Sequence, residues 1–307
     1  MSVTVGLTET AVTLQARPEL VVQQLLNGLS IGAVYALIAI GLTLVFGIMD
    51  VINFAHGEFV MLGGYALFWL ITLFSVPFFP AMVVGVVLVG GFAVVVERSV
   101  FRPLYDRPLL APMMASFGLL LVVQNGVSYL WGGRPRSIPD PFGNAVLSVE
   151  GFTVSYLRLF TVVVTALMYL GLWAFLQYSV TGKAIRATAQ NEEAALIRGI
   201  DTDRVNTVTF VLSGVFGAVG GVLYGTLFPV FPTMGLYPML KAFAAIIIGG
   251  LGSVPGALVG GLLIGVIEAV GIVLVENGSQ WRDAFAFLLL VVVLLVRPRG
   301  LLGGWDR

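Results

Sequence analysis

Residues 20–46 of this 307-residue chain read LVVQQLLNGLSIGAVYALIAIGLTLVF, without a single charged side chain. A hydrocarbon core about 30 Å thick needs roughly 20 consecutive apolar residues in a helix. This stretch therefore predicts a membrane-spanning helix. Because it is unusually long and contains Gly28, Gly32 and Gly41, with Gly47 directly after it, it predicts either one long helix or a helix broken into two.

The whole chain has the composition of a membrane protein. Hydrophobic residues make up 58% of it and charged residues only 10%, against about 25% charged residues in a soluble domain. The formal net charge is zero and no basic tract occurs, which argues against nucleic acid as a partner. Because there is no cysteine, disulfides, iron–sulfur clusters and thiolate metal sites are excluded. Membrane lipid is the expected solvent.

Further apolar stretches predict an all-α integral membrane protein, a polytopic helical bundle of eight or nine transmembrane segments. The stretches after the first lie near 57–75, 80–97, 109–130, 155–178, 205–228, 237–251, 253–275 and 282–296. Since 237–251 is short and ends in glycines, we expect it to be either a tilted span or a re-entrant piece. A single membrane domain is expected over 20–302, between short tails at 1–19 and 303–307. The first tail lacks the basic start of a signal peptide.

Lysine and arginine collect in three regions, which indicates that these regions face the cytoplasm. They are 97–108, 179–204 and the end of the chain from residue 297. The proline-containing loop 131–154 is then expected outside. Nine crossings place the N-terminus outside and the C-terminus inside.

Glycine recurs every fourth residue in the later segments, as in Gly217, Gly221 and Gly225 and again in Gly261 and Gly265. This spacing gives a helix one flat face, which allows neighbouring backbones to approach closely. Two interpretations stay open, namely packing between helices and the lining of a narrow pathway. No internal sequence repeat stands out, although structural repeats are common in transporters.

The longest charged stretch lies in the loop 179–204. Alanines and long side chains over its middle predict one short amphipathic helix over 184–199, which Gly199 closes in the left-handed conformation. Asp201 or Thr202 is expected to cap the next helix. A short helix between two spans is a docking surface for a partner, and the alternative is an ordinary solvated loop.

Polar groups interrupt the apolar sequence at Asp50, Asn53, His56 and Glu58. Such groups are costly at membrane depth and usually face a cavity, a partner or the interface. Two hypotheses follow. Either Asn53 and His56, with Gly57 as a bend beside them, line a pathway, or the whole segment connects two spans at the membrane surface. One histidine and scattered carboxylates do not make a set of metal ligands, so that no metal site is expected.

One motif in the charged loop is specific to a protein class. The sequence Glu193-Ala194-Ala195, followed by three residues and Gly199, is similar to the EAA-x-x-x-G signature of ABC importer permeases. In that family the element is the coupling helix, which sits in a groove of the ATPase subunit. The resemblance implies that these four residues couple the chain to an ATPase. The Ile-x-Leu-Pro ending of many such permeases is missing, which indicates a divergent subfamily.

Several longer motifs narrow the resemblance to the LivH-type permease of high-affinity branched-chain amino acid ABC importers. The matching stretches are NGLSIGAVYAL from residue 27, VINFAHGE from 51, ERSVFRP from 97, GIDTDRV from 199 and GGLGSVPG from 249. They cover the chain from about residue 20 to Leu302 in the family's order. The resemblance implies a multi-pass permease subunit of the bacterial inner membrane, with a permease domain over 20–302 and a cytoplasmic coupling loop over 179–204.

The same resemblance implies partners and a path for cargo. The partners are a second, LivM-like permease subunit or a second copy of this chain, two cytoplasmic ATPase subunits and an extracytoplasmic solute-binding protein. Asn53, His56 and Glu58 are the candidate residues of the translocation path. Importers of urea and short-chain amides share these signatures, so the cargo stays open among these classes.

Other features bear on the alternatives. Since the chain has no phosphate-binding loop and no His-Glu-x-x-His motif, we expect ATP to be hydrolysed by partner chains, and neither catalytic activity nor a cofactor in this one. Glu268 and Lys241 lie in apolar segments, where each is expected either to pair within the bundle or to touch cargo. A stand-alone secondary transporter or channel is disfavoured by the scarcity of paired intramembrane carboxylates. An intramembrane enzyme would need a clustered catalytic set, which is absent.

Overall fold

A computed structural model describes residues 18–149, 152–275 and 278–303, and within these ranges the chain is mainly helical. The helices are α1 (Pro18–Met49), α2 (His56–Thr72), α3 (Phe78–Val96), α4 (Leu110–Trp131), α5 (Tyr156–Tyr178), α6 (Val180–Gln190), α7 (Glu192–Ile197), α8 (Thr202–Leu227), α9 (Leu236–Gly249), α10 (Val254–Leu274) and α11 (Arg282–Val296). A π-helical turn (Glu97–Phe101) and a 3-10 turn (Arg102–Leu104) extend α3, another 3-10 turn (Gly278–Trp281) precedes α11, and β1 (Val146–Val149) pairs with β2 (Phe152–Ser155) in an antiparallel hairpin. The expected tails at 1–19 and 303–307 lie almost wholly outside the described residues.

The helices are those of a membrane protein. Over the described ranges, seven of them are long and apolar enough to cross a membrane, while α2 and α9 are shorter, with 17 and 14 residues. The outer helices carry large apolar side chains on their exposed faces, among them Val87, Val122, Leu167 and Leu295. Lipid solvates such faces, whereas water would drive them to associate. The predicted all-α integral membrane fold is confirmed.

The helix ends gather at two opposite ends of the bundle. One of them, called the α6 end here, holds α6 and α7, and there Arg102 beyond α3 pairs with Asp203 at the start of α8. The described residues of the loop after α4 lie at the opposite end, where Arg136 and Val230 exchange two backbone hydrogen bonds of 2.9 and 2.7 Å. Two of the basic regions predicted from the sequence, 97–108 and 179–204, thus meet at one end of the bundle, and the described part of the proline-containing loop lies at the other.

The helix α1 is continuous over 32 residues, so that the alternative of a broken first segment is wrong. Its glycines lie within this one helix and allow close packing. A methyl group at Gly28 would lie 2.7 Å from the Cα atom of Val266 on α10. The glycine face of α10 is used in the same way, because Gly261 lies against the backbone of Ala36 on α1. These contacts agree with the packing interpretation of the glycine faces.

The two halves of the bundle repeat one arrangement in opposite directions. The long helices α1 and α8 pack against each other, and each is followed by a non-helical segment, 50–55 or 228–235, that runs back towards mid-height. The first segment leads into α2, which packs on α8, and the second leads into α9, which packs on α1. Next, α3 packs on α8 and α10 packs on α1. Inverted repeats of this kind place irregular backbone at the middle of a transporter.

Candidate functional site

The segment 50–55 returns from the α6 end to the middle of the bundle. Although α1 ends at Met49, the ring of His56 binds the carbonyl oxygen of Ile38, which lies about 16 Å back along α1 at 1.5 Å per residue. A carbonyl oxygen only accepts hydrogen bonds, so Nε2 of His56 donates to it over 3.0 Å. Nδ1 then accepts from the hydroxyl of Ser213 on α8 over 3.2 Å. One imidazole therefore joins α1, α2 and α8.

The other two path residues predicted from the sequence are buried beside this junction. Asn53 Oδ1 accepts a hydrogen bond of 2.9 Å from the N–H of Ala55, in a turn that precedes α2. Glu58 Oε1 accepts one of 3.0 Å from Gln124 Nε2 on α4. None of Asn53, His56 and Glu58 is more than 2% exposed. All three side chains are thus buried inside the bundle and not exposed on a connecting loop.

Phe54 is the partly exposed aromatic side chain of the same segment. Its ring stacks on Phe243 of α9, with 6.2 Å between the ring centroids, and meets Phe117 of α4 edge-on at 6.5 Å. The N–H of Phe54 donates a hydrogen bond of 3.0 Å to the hydroxyl of Ser116 on α4. Irregular backbone is tolerated at membrane depth where protein groups satisfy it or where it lines a cavity. The backbone N–H of Phe54 is satisfied by Ser116 of α4, and the Phe54 ring lies between α4 and α9.

These rings belong to an open surface that we call the α4–α9 face. Its exposed residues are Met114, Phe117, Gly118, Leu121 and Asn125 on α4 and Leu236, Tyr237 and Leu240 on α9. Among the described residues, the Asn125 amide bonds the carbonyl of Leu121 in its own helix, over 2.7 Å, and no side chain fills the space beside Gly118. An exposed amide beside a glycine suits contact with another membrane helix better than contact with lipid. Apart from Asn125, the residues of this face resemble those of any lipid-facing span, so the sequence alone did not reveal the face.

A buried ion cluster fixes α9 against its neighbours. Lys241 Nζ lies 2.7 Å from Glu268 Oε1 on α10 and 2.8 Å from Asp283 Oδ1 on α11. The other oxygen of Glu268 accepts hydrogen bonds from Arg282 Nε over 3.0 Å and from the Tyr35 hydroxyl over 3.2 Å. Two cations thus face two carboxylates, as the cost of burying unpaired charge requires. Of the two alternatives for Lys241 and Glu268, pairing within the bundle is confirmed.

The expected docking helix consists of two helices. Asn191 adopts an extended backbone (φ −162°, ψ 107°) between α6 and α7, and its side chain accepts a hydrogen bond of 2.8 Å from the N–H of Ala194. The expectation of one helix over 184–199 is therefore wrong, because the asparagine side chain competes for backbone donors and starts a new helix. Gly199 follows α7 with φ +80°, and Asp201 caps α8, both as predicted.

The two helices divide their apolar residues between the bundle and the outside. Ile185 on α6 and Ala195 on α7 are buried, whereas Leu196 and Ile197 are 61% and 83% exposed at the α6 end. Glu193 lies in the first turn of α7 and is also exposed. Exposed apolar side chains beside a charged residue are typical of a surface that contacts another protein.

Known proteins share this chain's sequence over almost its whole length. The family described as "Branched-chain amino acid transport system / permease component" matches residues 24–294. The chain belongs to this permease family. With its apolar helices, the permease is a multi-pass protein of the bacterial inner membrane.

Individual relatives cover nearly all of the permease. It is 40% identical over 294 residues to "High-affinity branched-chain amino acid transport system permease protein BraD" of Pseudomonas aeruginosa, with 92% of this chain and 95% of that protein covered. The protein named LivH in the same terms, from Escherichia coli strain K12, is 38% identical over 294 residues with the same coverage. The resemblance to LivH-type permeases is thereby confirmed. Among solved structures, "PsaBC from Streptococcus pneumoniae in complex with Fab" covers 95% of the permease and 96% of its own chain, with a TM-score of 0.46 and 14% identity.

Proposed function

We propose that this permease forms one half of the pore of an ATP-driven importer for branched-chain or similar small amino acids. The observation that carries the proposal is its similarity, over 92% of the chain, to permeases named for high-affinity transport of these amino acids. The ion cluster supports it, because Glu268 is held by Lys241 and Arg282 and is a poor candidate for a proton relay. A transporter driven by a proton gradient commonly uses an intramembrane carboxylate that can gain and lose a proton.

In this proposal the α4–α9 face is one wall of the translocation path. A second permease subunit, either a LivM-like relative or another copy of this chain, supplies the opposite wall. The apolar side chain of the cargo passes Phe54, Phe117 and Phe243, which are the aromatic groups at the joint of α4, α9 and the segment 50–55. Aromatic rings give apolar contact area with little loss of side-chain entropy, so they suit a small aliphatic cargo.

Asn53, His56 and Glu58 are buried inside the bundle, next to Phe54 in the sequence, and do not line this path themselves. The hydrogen bonds of His56 and Glu58 hold the start of α2 against α1, α4 and α8, and Asn53 closes the turn before it, so that movements of these helices reach Phe54. The three residues therefore affect the path by positioning this segment. This assignment differs from direct contact with cargo, and the two predict different kinetic effects.

Energy enters at the α6 end, which faces the cytoplasm in this proposal. Two ATPase subunits bind there, one to each permease subunit, and α7 enters a groove of its ATPase with Glu193, Ala194, Ala195 and Gly199 as the coupling residues. Leu196 and Ile197 supply the exposed apolar contact. Since α6 packs against α1, α5 and α8, its movement is passed to the helices around the segment 50–55. ATP hydrolysis stays with the partner subunits, and a solute-binding protein delivers cargo at the opposite end.

The experiment is co-purification of the permease with its cognate subunits, followed by assays in nanodiscs. We expect an ATPase subunit to co-purify and branched-chain amino acids with their binding protein to stimulate ATP hydrolysis. Stimulation by urea or short-chain amides alone would assign the cargo to that class instead. Uptake by the permease alone along an ion gradient, with no ATPase recovered, would overturn the proposal.

A further inference from the structure

A cluster of aromatic and polar side chains lies at the end of the bundle opposite to the α6 end. The guanidinium of Arg136, in the segment after α4, lies over the ring of Trp69 on α2, with 4.5 Å between Cζ and the ring centroid. Its Nη2 atom donates a hydrogen bond of 2.5 Å to the carbonyl oxygen of Trp131 at the end of α4. Tyr65 stacks on the ring of Trp131, with 5.3 Å between the centroids. We call these four residues the Arg136 cluster.

Three hydrogen-bond donors of this cluster lack an acceptor. They are Nε of Arg136, Nε1 of Trp69 and the hydroxyl of Tyr65, each of which is shielded from solvent and has no hydrogen-bond partner among the described residues. Tyr65 is the most deeply buried of the three residues, with 1% exposed. Buried polar groups are normally satisfied, so three exceptions in one cluster call for a partner outside the chain.

The chemistry of the donors indicates that this partner is an anion. Arginine and tryptophan side chains only donate hydrogen bonds, and a tyrosine hydroxyl can donate one as well. In the part of the chain that the structure describes, no ion pair joins Arg136 to a carboxylate, and its guanidinium meets the rings of Trp69 and Phe68. The same positive charge interacts with the phenol of Tyr65. A carboxylate supplies two acceptor oxygens and a negative charge, whereas water would leave the charge unbalanced.

The Arg136 cluster lies before the aromatic joint on the proposed path. Trp131 is about 21 Å beyond Phe117 along α4, at 1.5 Å per residue. Tyr65 is about 10 Å beyond Glu58 along α2. Both helices lead away from Phe54 towards the end at which cargo is delivered in the proposed function. Cargo that enters there passes the Arg136 cluster first.

A short segment of the chain shields the donors. Residues 132–138, which we call the strap, are fixed by the two backbone hydrogen bonds between Arg136 and Val230 and by the buried side chain of Ile138. A methyl group at Gly225 on α8 would lie 3.0 Å from Val230 and 3.2 Å from Ile138, so both side chains pack closely on this helix. Because Arg136 belongs to the strap, movement of the strap away from α2 exposes its guanidinium and the indole beneath it together.

We propose that the Arg136 cluster binds the carboxylate of the amino acid cargo when the strap opens, as the first binding site on the path. Arg136 Nε, Trp69 Nε1 and the Tyr65 hydroxyl donate to the carboxylate oxygens, and the guanidinium balances the negative charge. Since the carboxylate is common to all amino acids, the site does not discriminate among their side chains. The inference rests on the proposed function for the identity of the cargo and for the end at which it enters.

The test is thermal stabilisation of the purified full-length permease in detergent by small carboxylates, since a ligand of the folded state raises the melting temperature. The probes are leucine, 4-methylpentanoate, which lacks the ammonium group of leucine, and leucinamide, which lacks the carboxylate. We expect leucine and 4-methylpentanoate to raise the melting temperature over similar concentration ranges. Leucinamide is expected to need at least about tenfold higher concentrations, because it forms no hydrogen bond through a charged acceptor.

Variants that remove one donor at a time test the assigned atoms. Tyr65→Phe and Trp69→Phe keep an aromatic ring and are expected to raise the half-saturating leucine concentration at least about tenfold, as loss of one hydrogen bond to a charged group implies. Arg136→Gln removes the charge and is expected to abolish the response to both carboxylates. The matched controls are Arg134→Gln, in the exposed part of the strap, and Tyr129→Phe, at a residue that is 90% exposed. Both controls leave the leucine response unchanged.

The outcomes separate this site from the proposed function. Equal stabilisation by leucinamide and leucine, or an unchanged leucine response in all three cluster variants, would overturn the site. Equal stabilisation by sulfate would show an unselective anion site and would overturn the carboxylate assignment. If Arg136→Gln kept the leucine response but lost docking of the solute-binding protein, the cluster would bind an acidic side chain of that protein and not the cargo. A carboxylate response that depends on all three donors, without ATP-driven uptake, would support the site and overturn the proposed function.

Discussion

Gly57 and Gly235 meet backbone to backbone where the two non-helical segments of the bundle end. A methyl group at Gly57 would lie 3.0 Å from the carbonyl oxygen of Gly235, and a methyl group at Gly235 would overlap the carbonyl oxygen of Gly57. Each glycine stands at the start of a short helix, α2 or α9, and the two helices run from this contact towards opposite ends. The contact therefore sets the depth of both short helices and with it the depth of Phe54.

The first prediction concerns this contact. Gly235→Ala places a methyl group against the backbone of Gly57 in α2. A backbone cannot rotate out of the contact as a side chain can. We expect the free energy of unfolding to fall by about 1–3 kcal/mol, as overpacking of a tight core usually costs. The measurement is the melting temperature in detergent, followed by size-exclusion chromatography of the heated protein.

The matched control for that prediction is Gly91→Ala on α3. A methyl group at Gly91 meets nothing within 4 Å. Alanine is also the better helix former, so this variant is expected to melt at the same temperature or slightly higher. Equal losses of stability in Gly235→Ala and Gly91→Ala would contradict the close contact.

The positions of the spans were predictable from the sequence, whereas the depth of the short helices was not. Runs of about 20 apolar residues mark a span wherever they occur, and the predicted stretches coincide with helices. Hydropathy says nothing about a segment such as 50–55, which turns back from the α6 end towards the middle of the bundle. One signal was nevertheless present, since GEFVML from Gly57 and GLYPML from Gly235 share the spacing Gly-x-x-x-Met-Leu.

The candidate site was predictable in part for a similar reason. Costly polar residues in an apolar context drew attention to His56, Glu58, Lys241 and Glu268, and each of these does make a specific interior contact. The partners of those residues lie far away in sequence. The aromatic contact of Phe54 also depends on the inverted packing of helices and not on any local pattern. It could not be found without the fold.

The second prediction concerns the ion cluster. Glu268→Gln leaves Lys241 and Arg282 without their shared carboxylate in the interior, and removal of one partner of a buried pair costs about 3–5 kcal/mol. Asp283→Asn is the control, because the Asp283 side chain is 62% exposed and an exposed pair is worth about 0–1 kcal/mol. Thermal unfolding of both variants measures the difference. Similar melting temperatures would contradict the assignment of Glu268 as the centre of the cluster.

The third prediction separates two roles for His56. If His56 holds the segment in place, His56→Ala removes two hydrogen bonds, lowers the melting temperature and reduces the maximal uptake rate, with little change in KM. Ser213→Ala removes only one of these bonds, so we expect a smaller fall in melting temperature. The corresponding loss in the free energy of unfolding is about 0.5–1.5 kcal/mol. A raised KM for cargo in His56→Ala, with an unchanged melting temperature, would instead show direct contact with cargo.

The fourth prediction addresses the docking surface on α7. Ile197→Asp removes an exposed apolar side chain that contributes almost nothing to the fold, since it is 83% exposed. We expect an unchanged melting temperature but at least about tenfold less ATPase subunit recovered on co-purification. Loss of an interface anchor that contributes about 1.4 kcal/mol of binding free energy weakens affinity tenfold. Gln190→Asp adds the same charge at the exposed end of α6 and is the control. Full recovery of the ATPase with Ile197→Asp would remove α7 from the interface.

The fifth prediction concerns the size of the path. Phe54 fills the joint between Phe117 and Phe243, so Phe54→Ala enlarges the opening at mid-height while it leaves the buried hydrogen bonds of His56 and Glu58 in place. We expect uptake of phenylalanine to rise relative to leucine in reconstituted importer, because a wider joint admits the larger ring. Leu130→Ala is the control, since Leu130 is 67% exposed near the end of α4 and away from the joint. If the ratio of phenylalanine to leucine uptake changed equally in both variants, or in neither, Phe54 would not limit the size of cargo, and the constriction would have to be sought on the partner subunit.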